Sequence, residues 1–206
     1  LHADLRRGAN VASTVPLCAN GGIGNRGVQM LAPGFVVTPE EAAAHELHEL
    51  ARPFRNGRDL TDRPRGVLAL DTFGFGEDRL RAEQPGAYQW LLLRAKPARD
   101  QNPRESYRLA WWLFGENQPA MRTALEQLPR FIATAITARH RSFQFLEASM
   151  LADQALLTIA SSSAEHLGVL SSQVHVEWAL AAGGTLEDRP RYNKSVCFET
   201  FPFPSD

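Results

Sequence analysis

Residues 131–146 read Phe131-Ile132-Ala133-Thr134-Ala135-Ile136, then Thr137-Ala138-Arg139-His140-Arg141, then Ser142-Phe143-Gln144-Phe145-Leu146. Two apolar runs of strand length flank a short polar segment that carries three long donor side chains. A hairpin tip or a bend between such strands presents those donors together. Residues 155–161 supply another strand candidate. Residues 163–182 then turn helical, with Leu167, Leu170, Val174, Trp178 and Ala181 at spacings of three and four, and Gly183-Gly184 closes the run.

Upstream the pattern is mixed. Thr38-Pro39-Glu40-Glu41 is a helix start, with Thr as N-cap, Pro in the first turn and Glu41 three residues after the cap. The helix is expected to run to about Ala51 and to stop before Pro53. Residues 66–71 read as a short buried strand, residues 77–83 and 87–96 as helices divided by Pro85-Gly86, and residues 118–128 as a helix closed by Pro129. The tail, residues 192–204, is expected to be extended by proline geometry. Residues 1–37 show little periodicity. Together the elements argue an α+β fold, mixed strands and helices with a helical C-terminal part. The expected division is residues 1–162, opening on an irregular lead-in over 1–37, and residues 163–206 as a C-terminal helix and extended tail packed on it.

Bulk composition narrows the function classes. With 206 residues, 44% hydrophobic and 22% charged, the chain is long enough for a real core. A net charge of −1 is not that of a free-standing, strongly basic nucleic-acid binder, so basic character must be local. Cys18 and Cys197 lie far apart without metal-ligand spacing and read as free thiols of a reducing compartment, which makes the cytoplasm the expected location. No apolar run approaches the ~18 residues of a membrane span, so no membrane partner is expected. The start at Leu1 instead of Met suggests a piece of a longer protein.

The basic character concentrates in Arg52-Pro53-Phe54-Arg55-Asn56-Gly57-Arg58-Asp59-Leu60-Thr61-Asp62-Arg63-Pro64-Arg65-Gly66, with five arginines in fifteen residues. Pro, Asn-Gly and Asp separate them, which argues a shaped loop that holds Arg52, Arg55, Arg58, Arg63 and Arg65 outward. Guanidinium is a planar fork of donors suited to phosphates and guanine edges. Arg139, His140 and Arg141, with Thr137 beside them, form a sharper candidate, although a solvated turn fits the same residues.

Other motifs weaken on inspection. Gly22-Ile23-Gly24-Asn25-Arg26-Gly27 matches G-x-G-x-x-G, but neither the strand before it nor the helix after it is evident, so a loop is the better reading. Phe73-Gly74-Phe75-Gly76 follows a strand and precedes a helix as a methyl-donor loop would, yet the further βα units are missing. His45 and His48 sit at i and i+3 on the expected helix beside Glu46 and Glu49, without a third ligand, and suit a solvated face. Ser161, Ser162 and Ser163 suit a helix N-cap. Trp111 and Trp112 suit base stacking or core anchoring, and core is the reading for at least one.

The arginine-rich stretch, with Trp111-Trp112-Leu113-Phe114-Gly115-Glu116, resembles the large type IIG and type IIL restriction–modification enzymes. So do His166-Leu167-Gly168-Val169-Leu170-Ser171-Ser172, His175 and Trp178, and Tyr192-Asn193-Lys194 through Phe198 to Phe201-Pro202-Phe203-Pro204. The likeness runs from about Gly27 to the end. In that family one polypeptide joins an N6-adenine DNA methyltransferase domain to a target recognition domain and a C-terminal helical part. The resemblance implies that this chain is the recognition domain with the closing segment, following the methyltransferase domain of the same polypeptide. Its implied partner is double-stranded DNA. S-adenosylmethionine is then a cofactor of the parent enzyme and not of this chain, which lacks the Asn/Asp-Pro-Pro-aromatic motif of amino-methyltransferases.

The resemblance also implies base-reading positions at Thr137, Arg139, His140 and Arg141. A second candidate region is Arg104, Ser106, Tyr107 and Arg108. Because the arginines of 52–66 recur in family members of different specificity, they are implied to anchor phosphates or brace the domain. No catalytic or metal-binding residue is implied. Two other readings of the residues stand beside this one. They are a self-contained metal-dependent hydrolase or nuclease built on His45 and His48, and a protein-interaction domain that docks a methyltransferase.

Overall fold

The computed structural model describes residues 14–186 and 189–204. The first 13 residues of the expected lead-in lie outside the described residues. The fold is α+β, with two four-stranded sheets, a two-stranded ribbon and helices. It divides into two compact units. One takes the described residues through Asn25, residues 120–148 and those from Ala155 onward; the other takes Arg26–Pro119 and Ser149–Gln154. No boundary falls at 162/163, because the C-terminal helices and the 131–159 strands share one core.

In the second of these units β2 (Val36–Val37), β4 (Leu68–Leu70), β3 (Ala51–Arg55) and β7 (Leu151–Ala152) form one sheet in the order β2-β4-β3-β7. The first two pairings are antiparallel and β3–β7 is parallel. Helix α1 (Pro39–Ala44) starts as expected, with a reciprocal Thr38–Glu41 capping box. It ends seven residues before the expected stop, in a Schellman turn. Glu46 takes a left-handed φ of 57°, and the N–H of Leu47 reaches back to the Ala42 carbonyl at 2.9 Å. A glutamate at the position glycine usually takes hid that stop. The chain then enters β3, where Pro53 holds Arg52 extended.

Helix α2 (Gly57–Thr61) follows, so the arginine-rich stretch is a strand, a capped turn of helix and a short loop, where one continuous loop was expected. Helix α3 (Glu77–Glu83) and α4 (Pro85–Arg94) follow as expected, except that Pro85 opens α4 from its first turn. Helices α5 (Lys96–Asp100) and α6 (Glu105–Leu109) complete the unit. Phe35, Leu47, Leu70, Leu80, Leu91, Trp90, Trp111 and Phe114 fill its core. Burial of each such side chain contributes ~1.5–3 kcal/mol. Trp90 donates its indole N–H to the Gly34 carbonyl at 2.8 Å, and Trp111 reaches Glu77 at 3.2 Å. Trp111 is therefore a core anchor.

In the other unit β1 (Gly24–Arg26), β8 (Leu156–Ile159), β5 (Arg130–Ala135) and β6 (Gln144–Glu147) form the second sheet, with β5 antiparallel to both β6 and β8. Strand β8 is buried throughout and β5 is buried from Phe131 on, which is why both read as continuous apolar runs. Helix α7 (Pro119–Glu126) leads into β5. The expected single helix over 163–182 is two, α8 (Ala164–Ser171) and α9 (Gln173–Ala182). Ser172 breaks them in an extended conformation and caps α9, its hydroxyl accepting the His175 N–H at 3.3 Å.

Strands β9 (Gly184–Leu186) and β10 (Arg189–Arg191) form the ribbon. The tail is not simply extended. Residues Lys194–Phe198 make a π-helical turn that buries Phe198, and the Asn20 amide donates to the carbonyls of Phe198 (3.0 Å) and Phe201 (2.8 Å).

Two glycines of the G-x-G-x-x-G match, Gly24 and Gly27, have packing roles. Gly24 lies in β1, and a Cβ there would meet the Phe198 ring at 3.1 Å. A Cβ on Gly27 would sit 2.0 Å from the Ala152 carbonyl oxygen, where the Val28 N–H bonds that same oxygen at 2.8 Å. Backbone cannot yield as a side-chain tip can. Gly27→Ala is therefore expected to cost about 3 kcal/mol or more in urea unfolding, and an unchanged midpoint would show that the backbone at Ala152 gives way freely.

Candidate nucleic-acid interface

The segment between β5 and β6 is held from below. Ile136 and Phe143, its two flanks, are buried in the core, and Ala138 is buried as well. Main-chain bonds tie it to β10 (Arg189–Arg191) and the residue after it: the Tyr192 N–H donates to the Ile136 carbonyl at 2.7 Å, and the Ala138 N–H to the Pro190 carbonyl at 3.4 Å. Thr137 pairs with Arg191 in an antiparallel bridge.

Arg139 and His140 are exposed at the crest, and no side-chain hydrogen bond or ion pair joins them to the described residues. Arg141 differs from the expectation of three outward donors, because its guanidinium turns inward. It donates to the Thr134 hydroxyl at 3.1 Å, to the Ala135 carbonyl, and to the Pro190 carbonyl at 3.4 Å, and it lies 5.0 Å from the centre of the Tyr192 ring. Thr134 in turn donates to the Ser142 carbonyl at 2.7 Å. Burial lowers the Arg141 pKa from its usual value. Below it, His175 Nε2 lies 2.8 Å from the Tyr192 hydroxyl, and burial, then the Arg141 charge, push His175 down to about 4. A neutral imidazole is thus buried under the bracket.

The arginines of 52–66 divide between bracing and display. Arg52 pairs with Asp71 at 3.0 Å and donates to the Ser149 carbonyl at 3.1 Å. Arg65 makes a forked pair with Asp59, at 2.9 and 2.8 Å, and its own N–H adds a third bond at 3.1 Å. The Asp59 carboxylate, fully buried, also accepts the Asn56 N–H at 3.0 Å while Asn56 caps its helix in return. Arg52 and Arg65 therefore hold the segment in shape. Arg55 is half-buried at the end of β3, whereas Arg58 and Arg63 are exposed.

The second expected region is helix α6 and its lead. Arg104 donates to the Tyr107 hydroxyl at 2.8 Å, which donates to Glu116 at 2.6 Å, and Arg108 donates to the carbonyls of Asn102 (2.7 Å) and Pro103 (3.1 Å). Ser106 is exposed. Arg104, Tyr107 and Arg108 thus have structural partners, which leaves Ser106 as the open position.

Residues 94–205 match the family model of the MmeI target recognition domain. The chain belongs to that family. A solved structure of the type IIL restriction–modification enzyme MmeI in complex with DNA has the same fold, with a TM-score of 0.73 at 19% identity. The likeness covers 97% of this chain and 26% of that one, so the chain spans about a quarter of that relative. No curated protein sequence matches. The family match embraces the crest at 137–141, α6 and the β9–β10 ribbon, while the arginine-rich stretch precedes it.

For a member of the target recognition family the remaining chemical motifs have ordinary explanations. His45 follows the end of α1 and stacks 4.9 Å from the Trp90 ring, so His45 and His48 do not share the expected helix face. No group of three metal-ligating side chains occurs among the described residues. Ser163 caps α8, as its sequence position suggests. Ser161 Oγ lies 2.7 Å from His166 Nδ1, but the same oxygen accepts the Ser163 N–H at 3.2 Å, which makes it part of the helix start. Sequence reasoning missed Thr134, Pro190 and Arg191 at the interface. A lone threonine inside an apolar strand was the one available signal, since a buried hydroxyl needs a partner.

Asp59 supplies a pH test. Its pKa falls from 3.8 to about 2, chiefly through the side-chain bond from Arg65. The unfolded chain therefore binds the extra proton first, so stability is full above about pH 4 and declines as pH falls toward 2. With Arg65 partly in water, the loss is expected to be about 1–2 kcal/mol. Urea titrations at pH 5 and pH 2.5 should show this acid step in the wild type and a smaller one in Asp59→Asn.

Proposed function

We propose that this chain is the DNA-reading module of a site-specific adenine-N6 methyltransferase of the restriction–modification type, acting on double-stranded DNA beside a methyltransferase domain of the same polypeptide. The observation that carries the reading is the crest, where Arg139 and His140 stand exposed on a segment whose flanks are buried and whose main chain is bonded on one side. Exposed donors on a rigid support suit base edges in a major groove, where arginine pairs with guanine O6 and N7. The MmeI structure, a complex with DNA, supports the same reading by its shared fold.

Within this reading Arg58 and Arg63 supply phosphate contacts that set register, and Arg139, His140 and Thr137 read sequence. Arg141 acts through the loop and is a positioning residue. S-adenosylmethionine belongs to the parent's catalytic domain. Strand β4 has antiparallel neighbours on both sides, so the Phe73–Gly76 turn does not open on the crevice of a parallel sheet, and no step of methyl transfer is assigned here. The base to be methylated is flipped into the other domain. No helix among the described residues is long and apolar enough to cross a membrane, and both cysteines are free, in keeping with a cytoplasmic enzyme.

Methylome sequencing of a host expressing the parent, with duplex binding measured by anisotropy, tests the assignment. Arg139→Ala should cost ~1–3 kcal/mol on the cognate site and relax one base position. Arg141→Ala should lower the melting temperature and weaken cognate and non-cognate duplexes alike. An unchanged methylated motif for Arg139→Ala would falsify the reading role of the crest. Arg58→Ala and Arg63→Ala should each reduce the salt slope of binding by about one without altering the motif.

A further inference from the structure

The β9–β10 ribbon is joined to the crest by main-chain bonds, yet nothing in the sequence pattern assigned it a role. Along this edge inward and outward residues alternate. Ile136 and Ala138 are buried while Thr137 between them is only half-buried, and Tyr192 is buried while Arg191 beside it is half-buried. Residues paired across antiparallel strands project from the same face. Arg191, opposite Thr137, therefore rises on the side of the edge away from the core, and Arg189 lies two residues along on the same strand face. The segment Thr137–Ser142 contains no acid, so nothing on it neutralises Arg191.

We infer that Arg191 is a phosphate contact beside the reading crest, so that the β9–β10 ribbon forms a second arm of the DNA interface. The inference rests on the DNA-reading function proposed above. Its chemistry is that of a fixed cation: a strand-borne guanidinium, set one cross-strand step from Thr137, meets the sugar–phosphate backbone next to the bases that Arg139 and His140 address. Phosphate is the assigned partner because Arg191 lies on a strand flanking the crest and below its exposed tip. Such a contact fixes the register of the crest without selecting a base.

The test uses the 206-residue chain and fluorescently labelled duplexes of several sequences, titrated at 50 and 200 mM salt. Arg191→Gln is expected to weaken every duplex by about fivefold or more at the lower salt, and to reduce the slope of log affinity against log salt by about one. Arg191→Lys, which keeps the charge, is expected to stay within about twofold of wild type. The Thr137–Arg191 pairing is made by backbone atoms, so both variants should keep the wild-type melting temperature. A Gln variant with the wild-type slope overturns the inference while leaving the DNA-reading function standing. A Lys variant as weak as Gln also overturns it, since the role would then lie in packing. Wild-type binding that ignores salt overturns the function itself, and this inference with it.

Discussion

A guanidinium turned into the protein governs how the crest between β5 and β6 is built. Arg141 reaches back under its own loop to the end of β5 and across to Pro190, so two separate backbone segments share one cation. With no carboxylate partner among the described residues, it relies on carbonyl and hydroxyl oxygens and on the face of Tyr192. The Pro190 carbonyl also accepts the Ala138 N–H and the Thr134 hydroxyl donates to Ser142, so the buried guanidinium is tied into a network that already holds the loop. The neutral His175 beneath it follows from the same arrangement, since a second positive charge there would be both buried and repelled.

The same division of labour governs the arginine-rich stretch. A forked pair with a fully buried carboxylate is a demanding arrangement, tolerable because Asp59 is bonded on every side by Asn56 and Arg65. It closes α2 and the loop after it into a fixed shape and leaves Arg58 and Arg63 in solvent. Arginine-rich composition thus overstates the cationic surface. In both units part of the guanidinium content is internal scaffolding, and what remains outside is better placed because of it.

Particular elements show what could be read in the chain. The Thr38 capping box, the β4 and β5 runs, the β6 strand and the serine cap of α8 were legible because each depends on residues within a few positions of one another. The end of α1 was not, because its left-handed turn is made by Glu46 where no glycine announces it. The break at Ser172 was not, because apolar spacing continues across it while the hydroxyl redirects the backbone. Of the candidate site, Arg139 and His140 are exposed. Arg52 and Arg141 instead find partners on elements brought close only by folding, and Arg65 turns back onto Asp59 six residues earlier.

Local chemistry therefore determined by itself the α+β class, most helix starts, the apolar strands, and a family likeness carried by long ordered motifs that the family match then bore out. Only the tertiary structure decided which arginines face solvent and which hold the chain together. It also decided that the β9–β10 ribbon lies along the crest. The physical reason is range: caps and apolar periods act within one element, whereas a guanidinium on a long flexible stem finds whichever oxygens the packed fold leaves unsatisfied.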